Sequence, residues 1–173
     1  MVASYTQLLA ERYGERLDQD ARDFVGYAVD GANRMQRMIQ DLLAYSRIAT
    51  RGKALEPVDA HDALGEGLAN LQGALEEAGA LVSNDDLPVV LADRGQLVQV
   101  FQNLVGNAIK FRRPNEPPRI HISAARMGRE CVFSVKDNGI GIDPKYFDRI
   151  FVIFQRLQNR REYPGTGIGL ANC

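Results

Sequence analysis

The chain has 173 residues, 45% of them hydrophobic and 25% charged, with a formal net charge of −1. This is the balance of an ordinary soluble protein, and it supplies no overall field for nucleic acid or for an anionic membrane surface. Its apolar stretches, such as Leu87–Ala92, are far too short to span a bilayer, and Met1–Tyr5 lacks the basic-then-apolar order of a signal peptide. Cys131 and Cys173 show neither CxxC nor Cys/His spacing. A reducing, cytoplasmic setting without disulfide or zinc site is therefore expected.

Residues 1–49 are almost free of helix breakers. Tyr5, Leu8, Leu9 and Arg12 precede a turn-like segment, Tyr13–Asp18, and Asp18 or Gln19 opens a longer helix. In that helix Phe24, Val25, Ala28, Ala32, Met35, Ile39, Leu42 and Leu43 recur three and four residues apart, an apolar stripe. Two helices and a short turn read as a hairpin, and one hairpin leaves its stripe uncovered. A homodimer through residues 1–49, forming a four-helix bundle, is the expectation. The polar stretch Arg47–Lys53 then reads as a hinge, placed at residues 50–54 between the hairpin and a mixed domain, 55–173.

In that domain Leu55–Val58 reads as a strand and Asp59 as the cap of a helix from Ala60 to about Ala78. Leu81–Ser83 and Pro88–Leu91 read as short strands on either side of Asn84-Asp85-Asp86. Asp93 caps a helix, Gln96–Phe111, which Arg113-Pro114 stops. Arg119–Arg126 and Glu130–Lys136 alternate as a hairpin around Met127-Gly128-Arg129. A helix from Pro144 to about Phe151 and a polar segment rich in Arg and Asn complete an α+β organisation: a helical hairpin followed by an α/β sandwich.

There is no GxxxxGK[ST] loop, protein-kinase HRD or DFG signature, HExxH or GxSxG. Asn103 and Asn107 lie one turn apart on one helix face, with Lys110 near it. Two asparagines are costly inside a helix. Beside a lysine, their amide oxygens suit a hydrated Mg²⁺ bridging phosphates, though solvent-facing asparagines would read the same way. Asp137, at a strand end, can accept a hydrogen bond from an exocyclic amine such as adenine N6, or simply form a turn with Asn138-Gly139. Gly139 and Gly141 fit both readings. Gly165, Gly167 and Gly169 precede a new helix, where backbone N–H groups can meet phosphate.

Taken together, these residues resemble the sensor histidine kinases of two-component signalling, whose ATP-binding fold is shared with gyrase-type ATPases and heat-shock chaperones. Asn103-Leu-Val-Gly-Asn-Ala-Ile-Lys-Phe111 is similar to the family's N box and Asp137–Ile142 to its G1 box. Phe147–Phe154 resembles the F box and Gly165–Leu170 the G2 box. The resemblance implies ATP and Mg²⁺ as cofactors. It makes Asn107 the Mg²⁺ ligand with Asn103 beside it near the phosphates, Lys110 a phosphate contact and Phe111 a wall against adenine. Asp137 would hold adenine N6 in a pocket shaped by Gly139 and Gly141, and Arg156 would reach the γ-phosphate. Gln155–Pro164 would form the ATP lid, anchored by Phe151 and Phe154. Gly165, Thr166, Gly167, Gly169 and Leu170 would line the nucleotide at its far hinge. A response-regulator receiver domain is the implied partner, with a sensor domain upstream of this segment.

Two departures limit that expectation. The family's phosphoacceptor histidine belongs on the first hairpin helix, whereas the only histidines here are His61 and His121. The family also continues past the G2 box, while this chain stops at Ala171-Asn-Cys173. The expectation is therefore an ATP-binding fragment cut short at both ends, without its acceptor. A non-catalytic dimerising module and an anti-sigma-type serine kinase or ATPase are the alternative readings.

Overall fold

The computed structural model describes residues 2–13, 17–50, 54–155, 157, 163 and 167–173. Two compact units result, Met1–Ser46 and Arg47–Cys173. In the first, α1 spans Val2–Tyr13 and α2 spans Gln19–Thr50. Asp18 caps α2, its carboxylate accepting the Ala21 N–H at 2.8 Å. The apolar stripe lies open: Phe24, Met35, Ile39, Leu42 and Leu43 are all exposed, and Ala32 is the one buried hydrophobic side chain among this unit's described residues. The stretch expected as a hinge from Arg47 is helical through Thr50, because nothing before Gly52 interrupts propagation. Residues 51–53 lie outside the described residues.

The second unit is built from two strand–cap–helix modules. Strand β1, Glu56–Asp59, runs into α3, Ala60–Ala69, and Asp59 accepts the His61 N–H at 2.8 Å. Helix α4 follows at Gln72–Ala78, then β2 at Leu81–Asn84. Strand β3, Val89–Ala92, runs into α5, Arg94–Lys110, whose cap Asp93 accepts the Gln96 N–H at 3.1 Å. Strands β1 and β3 pair antiparallel, with Glu56 opposite Ala92, so both helices set out from one ribbon. The expected single helix over 60–78 breaks at Asn70-Leu71. Leu71 leaves helical geometry, and the offset turns Leu71, Leu75 and Ala78 of the second piece against the core.

Strands β4, Arg119–Met127, and β5, Glu130–Asp137, form a hairpin whose two-residue loop puts Gly128 at φ +65°. Strand β2 joins β4 in parallel, giving a mixed sheet of order β2-β4-β5. The two strands flanking Asn84-Asp85-Asp86 thus belong to different sheets. Val98, Phe101, Val105, Ala108 and Ile109 of α5 recur at three and four residues and are buried with Leu64 of α3 and Ile120 and Ile122 of β4. Phe101 meets Phe133 of β5 edge-on, 5.7 Å between ring centroids. The expected helix from Pro144 is a single 3-10 turn, Pro144–Tyr146, capped by Asp143, and the residues after it are irregular turns. With Phe147 and Phe151 exposed, that segment has little apolar face to hold a longer helix in place.

The core depends on Phe101. Phe101→Ala is expected to cost about 3–5 kcal/mol, and Asp93→Ala about 1 kcal/mol through its lost cap, both read from urea unfolding.

Candidate nucleotide site

Helix α5 is the wall on which the sequence-predicted residues assemble. Near its middle, Asn103 donates Nδ2–H to the Gly169 carbonyl at 2.9 Å and accepts from Gln99 Nε2 at 3.2 Å. The helix backs Gly169 so closely that a Cβ there would lie 3.4 Å from Asn103 Oδ1. Gly169–Asn172 forms a 3-10 turn rather than the start of a regular helix, and Ile168 before it is fully buried. Cys173 closes the turn by donating Sγ–H to the Gly169 carbonyl at 3.5 Å, and burial pushes its thiol pKa up. Asn103 thus spends its amide fastening the second glycine turn to the helix.

At the other end of α5, Phe111 is the C-cap. Its carbonyl, which no helical turn satisfies, accepts the Ile140 N–H at 3.0 Å. Gly139 lies directly beneath: a Cβ there would stand 2.6 Å from the Phe111 carbonyl oxygen and 2.7 Å from Asp137 Oδ1, so only glycine fits. The Gly139 N–H donates to Asp137 Oδ1 at 2.7 Å, while Arg113 Nε–H reaches the Gly139 carbonyl at 3.2 Å. Gly141 stands at φ +72° in open space, so its need is conformational.

Asn138 was missed in the sequence as anything but a turn residue. The register pairs Ile120 with Asp137, so the next rung would set Arg119 against Asn138. At that rung the Asn138 side chain stands in for the backbone: Oδ1 accepts the Arg119 N–H at 2.8 Å and Nδ2–H donates to the Pro117 carbonyl at 3.2 Å. The ladder gains one more rung while the main chain turns away into the glycines. A side-chain amide has the same donor and acceptor as a peptide, which is why asparagine suits the position. Only the strand register reveals this.

Between the two fastenings lie Asn107 and Lys110. Asn107 is half-buried, and its side-chain amide has no hydrogen-bond partner among the described residues. Lys110 holds Nζ 4.5 Å from the centroid of the Phe111 ring. That ring also stacks on Tyr163, centroids 5.1 Å apart and planes 30° apart, a contact that no local pattern encodes. From Asn103 to Phe111 the helix rises about 12 Å, so one face offers separate stations along its length.

Phe151 and Phe154, expected as apolar anchors, are instead exposed. The anchor is backbone: Phe154 sits at φ +63°, rare for an aromatic residue, and donates its N–H to the carbonyl of Gly167, itself at φ +78°. Leu170 is half-buried on the final turn. Arg156, Gly165 and Thr166 lie outside the described residues, as does most of Gln155–Pro164. The histidines are elsewhere: His61 is exposed on α3, and His121 on β4 meets Ser83 Oγ at 3.0 Å and Asp85 at 3.5 Å.

Residues 92–173 match the family model described as "Histidine kinase-, DNA gyrase B-, and HSP90-like ATPase". A cyanobacterial phytochrome A from a Nostoc species is 53% identical over 172 residues, covering 99% of this chain but 22% of that protein. The crystal structure of full-length ShkA in complex with AMPPNP superposes at a TM-score of 0.68 with 28% identity, over 99% of this chain and 36% of that one. Histidine kinase ThkA, solved in complex with the response regulator TrrA, shares the fold at a TM-score of 0.62 and 20% identity, over 88% of this chain and 46% of that one. The chain thus spans less than half the length of each of these relatives.

The braces around Gly139 are testable by stability. Asn138→Leu, which strands the Pro117 carbonyl and the Arg119 N–H, and Gly139→Ala, which forces Phe111 aside, are each expected to cost about 1–3 kcal/mol in urea unfolding.

Proposed function

Since the chain carries an ATPase domain of the histidine kinase type, we propose that it is the ATP-binding part of a sensor kinase, using α5 to hold Mg²⁺–ATP between the two glycine turns. The half-buried Asn107 amide, without a partner among the described residues and midway between those turns, carries this reading. An amide oxygen is a fitting donor for Mg²⁺, which takes few protein ligands and keeps several waters. Bound there, the ion would offset the negative charge of the phosphates.

The other roles follow along the helix. Asp137 accepts the adenine N6 amine, Phe111 walls the base, and Gly139 and Gly141 let backbone approach it. Lys110 turns from its ring contact to a phosphate, and Arg156 meets the γ-phosphoryl. Gly165, Thr166, Gly167, Gly169 and Leu170 line the phosphate side, with Asn103 holding their turn in place. Phosphoryl transfer depends on such positioning and on charge neutralisation, and needs no covalent intermediate from this chain. We place the acceptor on a histidine outside residues 1–173, since neither His61 nor His121 lies on the hairpin. A response-regulator aspartate is the next acceptor in the proposed relay. The 53% identity to part of a cyanobacterial phytochrome supports a phytochrome-type sensor upstream.

We propose the domain plan read from the sequence, a hairpin over 1–49, a joint at 50–54 and a nucleotide domain over 55–173, with α2 running to Thr50 at the end of the hairpin. The exposed stripe Met35, Ile39, Leu42 and Leu43 supports a homodimer through α1 and α2. No described helix is long and apolar enough to cross a membrane, and we read the setting as cytoplasmic.

Calorimetric titration is expected to show Mg²⁺-dependent ATP binding that Asp137→Asn weakens by at least about tenfold, a lost hydrogen bond to a charged group being worth about 1.5–3 kcal/mol. Equal signals from both forms, or none from either, would count against the pocket. Incubation with labelled ATP is expected to leave no acid-labile, base-stable label on the chain. In sedimentation, Met35→Glu with Leu42→Glu is expected to shift the chain from dimer to monomer.

A further inference from the structure

Phe111 already has an aromatic partner. The Tyr163 ring, half-buried, stacks on it at 5.1 Å between centroids with the planes 30° apart. The main chain of Phe111 is held on both sides, its N–H bonded to the Asn107 carbonyl and its carbonyl to the Ile140 N–H. A purine slipped between two rings would make a contact of about 3.5–4 Å on each side, so the rings would have to stand about 7 Å apart or more. At 5.1 Å no base fits between them. The position that Tyr163 takes on Phe111 can hold a tyrosine ring or a purine, but not both.

Resting on the reading of Phe111 as the wall of the base pocket, we propose that Tyr163 is an internal stand-in for the base, which the purine of ATP must displace in order to stack. Lys110 lies beside the same ring. Its ammonium, 4.5 Å from the Phe111 centroid, belongs to the same small cluster of ring and cation. A phosphate chain without a base has no ring to offer Phe111 and leaves Tyr163 in place.

The test compares the wild-type chain with Tyr163→Ala and Tyr163→Phe, titrating Mg²⁺–ATP and, separately, Mg²⁺–tripolyphosphate. An aromatic pair is worth about two- to tenfold in an equilibrium constant, so Tyr163→Ala is expected to bind ATP about two- to tenfold more tightly. Tyr163→Phe keeps the ring and is expected to stay within about twofold of wild type, and tripolyphosphate affinity is expected to be equal in all three. A Tyr163→Ala chain that binds ATP no better than wild type, or gains as much for tripolyphosphate, overturns the inference and leaves ATP binding standing. Absence of ATP binding in all three forms overturns the pocket reading and the inference together.

Discussion

One carbonyl group organises the nucleotide side of this domain. When α5 ends at Lys110, the Phe111 C=O is left without a helical partner, and the chain returning from β5 supplies one through Ile140. For that bond to form, the return must pass close beneath the helix end, where only a glycine fits. Asp137 and Phe111 are thereby fixed against each other although they belong to different elements. The Arg113 bond to Gly139 and the Asn138 rung to Pro117 and Arg119 support the same junction from the outside. Burial of Phe101, Val105 and Ile109 makes α5 a rigid reference for the whole site.

Much of this was legible in the sequence. Asp59 and Asp93 announced their helices because a capping carboxylate is a local device, settled within three residues. The β4–β5 hairpin was readable from alternation and Gly128 for the same reason. What was not legible depends on distant partners. The break at Asn70-Leu71 answers to the core beneath α4, and the assignment of β2 and β3 to different sheets answers to β4 and β1. The length of the segment after Pro144 was overestimated because turn propensity said nothing about its missing apolar support.

The site divides the same way. Glycine and asparagine spacing pointed to Asn103, Asn107, Asp137 and Gly139, but not to their division of labour. Asn103 holds a backbone carbonyl, whereas Asn107 keeps its amide uncommitted among the described residues. No pattern separates them, since both lie on one helix face; the difference lies in what packs opposite. The rung made by Asn138 and the stack made by Tyr163 arise from contacts across some 20 and 50 residues of chain, and nothing local encodes them.

The bond from the Phe154 N–H to the Gly167 carbonyl has a consequence for how the domain can vary. It ties the two feet of the intervening segment to each other. Closing a loop whose ends are already held becomes only slowly more costly with length, about 0.6 kcal/mol for each doubling. Residues can be inserted or deleted between those feet while Ile168 stays buried and Gly169 stays fastened to α5. The stretch of sequence between those feet can therefore evolve in length and composition without the domain's core having to follow.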